Sequence, residues 1–195
     1  MQTLVVHKRW GDESEDVREF VRPDAWAVWQ QAEILNRGNP PLVEYLHRCL
    51  NFVRTGIRLA PGPATTMDWH RMQAYGNPFA PILRYSENDF WNYPSETLDQ
   101  KIGDCDDKSI LLVSLLRRRY RAKDVFCSVG LLGDVGHMWV SLVGTRNLHV
   151  VETTTEQPLF LEVPPYSAYY RFNDKEVMLT KPQSEIPMLH ERRGV

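Results

Sequence analysis

The chain has 195 residues, 43% of them hydrophobic and 25% charged, enough for one well-buried core and too short for two comfortable domains. Lys plus Arg (23) nearly balances Asp plus Glu (25), so no overall field argues for nucleic acid or an anionic membrane as a partner. No apolar run approaches the roughly 20 residues that span a bilayer, and the opening MQTLVVHKRWGDESEDV lacks the charged start and apolar middle of a secretory signal. The expectation is a cytoplasmic protein, not inserted in a membrane.

In chain order, 1–58 reads as a helical N-terminal part. SEDVREFVRPDAWAVWQQAEILNRG begins with acidic residues, is broken at Pro23 and stops at Gly38 before Pro40 and Pro41. PPLVEYLHRCLNFVRTGIRL follows as a second helix, with Leu42, Tyr45, Leu46, Cys49, Leu50 and Val53 at helical spacing. Cys49 in that stripe reads as a small buried hydrophobe. Over 59–98 the periodicity fades into a connection rich in proline and aromatics, including Trp69, Tyr75, Phe79, Tyr85, Phe90, Trp91 and Tyr93. So many aromatics argue against disorder and for a loop packed over something, the core or a cleft.

KIGDCDDKSILLVSLLRRRY, 101–120, opens the core region assigned to 99–180 and reads as an amphipathic helix. Ile110, Leu111, Leu112, Leu115 and Leu116 form its buried face, and Arg117, Arg118, Arg119 and Arg121 complement the carboxyl end of its dipole. Asp104 is the expected N-cap, which places Cys105 in the first turn. The dipole favours an anion there by only about 0.3 to 1 kcal/mol, and Asp104, Asp106 and Asp107 oppose it. Activation of the thiol therefore needs a cationic partner from elsewhere in the chain, most naturally an imidazole. Asp106, Asp107 and Lys108 read as surface charge or caps, with an electrostatic filter on substrates as the alternative.

Beyond Lys123 the pattern changes to period two. DVFCSVGLLG and HMWVSLVG read as strands joined through Gly133 to Gly136, and NLHVVETTTE follows after Gly144 and Thr145. His137, Trp139 and Ser141 share one face of their strand, and Met138, Val140 and Leu142 the other. A turn at Gly144-Thr145 puts His137 opposite Glu152; a turn at Thr145-Arg146 puts Glu152 opposite Trp139, diagonal to His137. Both registers keep His137 and Glu152 on one face, and a three-residue loop would flip that parity. The stretch 181–195 reads as a C-terminal tail.

The other cysteines and histidines narrow the chemistry. Cys49, Cys105 and Cys127 are an odd, widely spaced set, which argues against a disulfide framework. The six histidines show no metal-ligand spacing, and no Walker loop, GxGxxG or EF-hand loop is present. Neither a metal nor a cofactor is expected. A thiol at a helix N-terminus, a histidine opening one strand and a carboxylate on the next match the logic of a nucleophile, a base and an orienter.

The motifs GDCDDKSILLVSLLR, GHMWVSLVG and LHVVETTTE, in that order, resemble the transglutaminase-like superfamily, with its cysteine helix, H-x-W-V strand and Asp-x-Thr strand. DFWNYPSETLDQKIGDCDD further resembles the lead-in of its bacterial transglutaminase-like cysteine peptidase branch. The similarity spans 51–156. It implies an α+β fold of papain type, with a nucleophile helix packed on an antiparallel sheet, in agreement with helices first and strands after Cys105. It implies Cys105 as nucleophile, His137 as general base and acid, and Glu152 where the family usually has Asp. The chain lacks the Trp that follows the cysteine in animal members and their extra β domains, so calcium-dependent crosslinking is not implied.

The expected activity is a cysteine hydrolase acting on a peptide or protein amide through a thioester. The backbone N–H of Cys105 and a donor among Trp91, Asn92 and Tyr93 would hold the oxyanion, and Trp139, beside His137, is a further substrate-side candidate. An acyl transferase using the same thioester and a non-catalytic binding or assembly module of the same fold are the alternatives.

Overall fold

The computed structural model describes residues 5–7, 14–60, 91–156, 160–162 and 165–180. Two short strands, β1 (Val5–His7) and β2 (Ser14–Asp16), pair antiparallel ahead of a 3-10 turn at Val17–Phe20. The helical reading of the segment from Ser14 therefore fails at its start, for a local reason. Asp16 Oδ1 accepts the backbone N–H of Arg18 at 2.9 Å, and the same side chain holds the Arg18 guanidinium. That side-chain clamp closes a tight turn before a helix can begin. The first α-helix, α1 (Trp26–Leu35), starts only after Pro23.

Helix α2 (Leu42–Gly56) buries Tyr45, Leu46, Cys49, Leu50 and Val53, the stripe read from spacing, while Leu42 at its open end is 44% exposed. Strand β3 (Arg58–Leu59) then pairs in parallel with β4 (Ile102–Gly103), bringing the end of α2 beside the cysteine segment. Helix α3 (Pro94–Gln100) starts with proline, whose missing N–H costs nothing there. Glu96 accepts the N–H of Tyr93 at 2.7 Å, the reciprocal half of a capping box. Only 59–60 and 91–98 of the aromatic connection are described, so Trp69, Tyr75, Phe79, Tyr85 and Phe90 lie outside the described residues, as does the tail 181–195.

Helix α4 (Cys105–Leu116) is buried on all sides from Asp106 onward, not amphipathic as its spacing suggested. Helices α1, α2 and α3 pack on it from one side, and β5 (Val125–Leu132) and β6 (Val135–Val143) pack on it from the other. The arginines at its end dock other elements. Arg117 pairs with Asp174 at 2.5 Å, and Arg119 donates to the Pro40 carbonyl at 2.6 Å.

The remaining strands are β7 (Leu148–Val151), β8 (Phe160–Leu161), β9 (Tyr166–Phe172) and β10 (Val177–Leu179). With β5 and β6 they form a six-stranded antiparallel sheet in the order β10-β9-β5-β6-β7-β8. The architecture is α+β, with the cysteine helix sandwiched between helices and sheet. Val143 pairs with Leu148 and the Gly144 N–H donates to the Asn147 carbonyl at 2.8 Å, so the register that sets Glu152 against Trp139 is the one adopted. Among the described residues no helix is long and apolar enough to cross a membrane.

Candidate active site

The motif GDCDD becomes intelligible at the start of α4. Asp104 is the N-cap residue, but its side chain makes no capping bond. The cap is made by Asp107, whose carboxylate accepts the Asn92 N–H at 2.7 Å, the Asn92 side-chain amide at 2.8 Å and the backbone N–H of Asp104. One buried carboxylate thus ties the lead-in before α3 to the first turn of α4. Gly103 is required by this arrangement, because a Cβ there would lie 2.6 Å from the Asp107 Cβ. Burial and the neighbouring Asp104 charge push the Asp107 carboxyl up to about 7, against the pull of its N–H donors.

The surface-charge reading of Asp106, Asp107 and Lys108 is therefore wrong: all three are under 5% exposed. Three polar residues in a row cannot share one face of a helix, so burying them demands neighbours on several sides. Lys108 donates to the Ile57 carbonyl at 3.0 Å, and burial, then the charge of Arg54, lower its pKa.

Cys105 occupies the first turn of α4 and is half-buried, whereas Cys49 and Cys127 are fully buried. Its Sγ lies 4.0 Å from Asp106 Oδ1. Burial pushes the Cys49 thiol up to about 12 and raises that of Cys127 as well, which disfavours the thiolate at both. One turn after Cys105 on the same helix face, the Ser109 hydroxyl donates to the Met138 carbonyl at 3.2 Å and lies 3.4 Å from Thr153 Oγ1. Met138 and Thr153 directly follow His137 and Glu152. Ser109, one turn after Cys105, is thus bonded to the residues that follow His137 and Glu152.

His137 Nε2 lies 2.8 Å from Glu152 Oε2, with the carboxylate side chain 1% exposed. The same oxygen accepts the Tyr166 hydroxyl at 3.1 Å. Oε1 accepts the backbone N–H groups of Thr153 and Thr154 at 2.9 and 3.1 Å and the Thr154 hydroxyl at 2.8 Å. Burial alone would raise this carboxyl. The bonds and charge of His137 and the Thr154 donors outweigh it and hold the pKa down at about 2. The Glu152 carbonyl in turn accepts Arg54 Nε and Nη2, at 3.1 and 2.8 Å, fastening α2 to the end of β7. With Nε2 engaged by the carboxylate, Nδ1 is the ring nitrogen left to serve a thiol.

In the aromatic lead-in, the N–H groups of Asn92 and Tyr93 are engaged by carboxylates. Trp91 is a core residue, stacked on Phe172 and set edge-on to Phe20. The Asn92 N–H and amide both hold Asp107, and the Tyr93 N–H holds Glu96. Tyr93 stacks on Phe20 beneath the Arg22 guanidinium. Trp139 is fully buried beside His137, with its indole N–H donating to Glu162 at 3.3 Å.

Sequence reasoning missed Tyr166, Ser109 and Arg54, whereas the cap reading of the acidic run is met by Asp107. Tyr166 stands in a strand pattern that says nothing of its partner. Asp104, Cys105 and Asp106 also bring their ligand atoms within 4.8 Å of one another. Asp104 Oδ1 is buried with no hydrogen-bond partner among the described residues.

No protein-family model matches the sequence, and no curated protein matches it significantly. The fold is similar to solved structures of Legionella pneumophila LapG. One matches at 16% identity and a TM-score of 0.59, covering 81% of this chain and 78% of that one. An EGTA-treated form matches at 16% identity and 0.58, covering 81% and 76%. A calcium-bound form matches at 16% and 0.56, covering 80% and 77%. These neighbours carry the transglutaminase-like fold, and the present chain has it too.

Proposed function

We propose that the protein is a transglutaminase-like cysteine hydrolase that cleaves a peptide or protein amide, with Cys105 as nucleophile, His137 as general base and acid, and Glu152 as the group that orients the imidazole. The observation that carries this reading is the bond between His137 Nε2 and a buried, ionised Glu152, beside the helix whose first turn bears the half-buried thiol. LapG, the fold neighbour, is a bacterial transglutaminase-like cysteine protease, which supports the same class.

In the proposed cycle, His137 Nδ1 takes the Sγ proton of Cys105 and the thiolate attacks the amide carbonyl carbon. The oxyanion is met by the backbone N–H of Cys105, in the first turn of α4. The C–N bond breaks as Nδ1–H protonates the departing amine, leaving a thioester on Cys105. Water, deprotonated by His137, then attacks the thioester carbonyl; the C–S bond breaks, the acid leaves and the thiol recovers its proton. Glu152 keeps the tautomer and balances the imidazolium without taking the proton, since its pKa is held near 2.

One LapG structure is calcium-bound. In this chain, Asp104 and Asp106 are the carboxylates that would hold such a hard cation, and the buried Asp104 Oδ1 suits that role. An ion there would supply positive charge to offset the carboxylates crowding Cys105.

Iodoacetamide at mildly acidic pH tests the nucleophile. Cys105 should be alkylated ahead of Cys49 and Cys127, and His137→Ala should abolish the preference. Equal labelling of all three thiols in the native protein would overturn the assignment. Adding small amines to the acyl-enzyme then separates hydrolysis from acyl transfer: an amine that outcompetes water identifies a transferase.

A further inference from the structure

We infer that Tyr166 is a positioning residue for His137, because its hydroxyl and the imidazole converge on the same oxygen, Glu152 Oε2, at 3.1 and 2.8 Å. The inference rests on the proposed roles of His137 and Glu152 and adds a residue that neither the motifs nor the fold class implies.

The terminal torsion of a glutamate is soft, with a broad range of carboxylate orientations at little cost. On Glu152, Oε1 is anchored by Thr153 and Thr154, all from the backbone and side chains of one short turn. Those anchors hold one oxygen and leave the carboxylate plane free to rock about it. A second donor at Oε2 removes that freedom, and among the described residues Tyr166 is that donor besides His137 itself. The phenol remains a donor over the working pH range, because burial and then the Glu152 charge raise its pKa.

Tyr166 is itself held in place. Its ring meets the buried Trp139 edge-on at 5.2 Å, and it lies 6.4 Å from the His137 ring. Trp139 donates to Glu162 Oε2, which also accepts the Ser141 hydroxyl at 2.7 Å, while Arg171 closes on the other oxygen of Glu162. Tyr166 opens β9, whose register shifts against β5 at Val129/Gly130. Gly130, which pairs with His137 across the sheet, lets the Ser167 carbonyl come to where a Cβ would be, 2.1 Å away. The close approach of β9 at that glycine carries the tyrosine to the carboxylate. Glycine at 130 and the network around Glu162 thus serve the same placement.

The experiment is proton NMR of the whole protein, with Tyr166→Phe as the variant and Cys105 alkylation by iodoacetamide at fixed pH as the kinetic readout. In the wild type, the His137 Nε2–H should appear as a downfield resonance that is lost in His137→Gln, with a cross-peak to the Tyr166 hydroxyl proton. In Tyr166→Phe, that resonance should move upfield, since a carboxylate free to rock holds the imidazole N–H less directly, and alkylation should slow roughly threefold to tenfold. A wild type without the cross-peak overturns the inference, and so does a resonance or an alkylation rate unmoved by the substitution. The wild-type cross-peak decides the matter even if the variant does not fold. The spectra do not depend on turnover, so a failure of the hydrolase reading would leave them readable and separate.

Discussion

The two faces of β6 are equally buried and differ in what they do. Met138, Val140 and Leu142 turn toward α4 and merge with the main apolar core. His137, Trp139 and Ser141 alternate with them along the strand, and Trp139 and Ser141 are fully buried too. On the first face the side chains need only shape. On the second every polar atom needs a partner, because an unpaired buried polar group costs about 1–3 kcal/mol. The partners are specific: Ser141 meets Ser128 at 2.6 Å and Glu162 at 2.7 Å, Trp139 meets Glu162, and His137 meets Glu152. Burial alone does not separate packing from chemistry; the hydrogen-bond partners do.

Substitutions on the two faces should therefore fail in different ways. The largest separation is expected from Cys105→Ala, which should reduce amide turnover to background while the melting temperature stays near that of the wild type, since the thiol is only half-buried at a helix start. Full turnover in that variant would remove the nucleophile assignment. Glu152→Gln should lower kcat by about 10³- to 10⁴-fold, because a side-chain amide turns an N–H toward either the imidazole or the Thr154 donors. Glu152→Asp should be milder in kcat, as it keeps the acceptor and only shortens the reach. Turnover left unchanged by Glu152→Gln would reduce Glu152 to a structural residue.

On the apolar face, Met138→Ala should cost about 2–5 kcal/mol by denaturant unfolding, with turnover per folded molecule preserved. A kcat loss larger than the unfolded fraction would show that the two faces are not separable.

Acid unfolding tests the polar face in its own terms. The Glu152 pKa in the fold, about 2, lies below its ordinary 4.5, so its stabilisation is fully present above pH 4.5 and is lost as pH falls through 2. The loss should reach about 3 kcal/mol and be absent in Glu152→Gln. Asp107, raised to about 7 from 3.8, has the opposite sign: stability should fall as pH rises between those values, and Asp107→Asn should flatten that slope.

The smallest effect is expected from Ser141→Ala, about 1 kcal/mol, from the loss of one donor to Glu162 and one partner of Ser128. Stability equal to wild type would mean that the network around Glu162 tightens without Ser141.

Much of the frame was legible without coordinates. Alternation located β5 and β6, helical spacing located α2, and Asp104 marked the start of α4. The shared face of His137 and Glu152 followed from strand parity, because a side-chain period of two survives either of the even-numbered turns considered. The start of α1 was misread because a single aspartate at position 16 captured the backbone of Arg18, a local bond that helical periodicity does not register.

The sequence by itself determined which residues are candidates for chemistry and the order in which they come, since residue type and local periodicity are properties of neighbours along the chain. Only the tertiary structure decided that Asp106, Asp107 and Lys108 are buried, that Asn92 has its N–H engaged, and that Tyr166 shares an oxygen with His137. Each of these depends on a partner far away in sequence or on enclosure by several elements at once. α4 shows the reason most plainly. Its composition suggested one wet face, but packing between three helices and a sheet removed the water from every side, and the charges at its start had to find partners inside the protein.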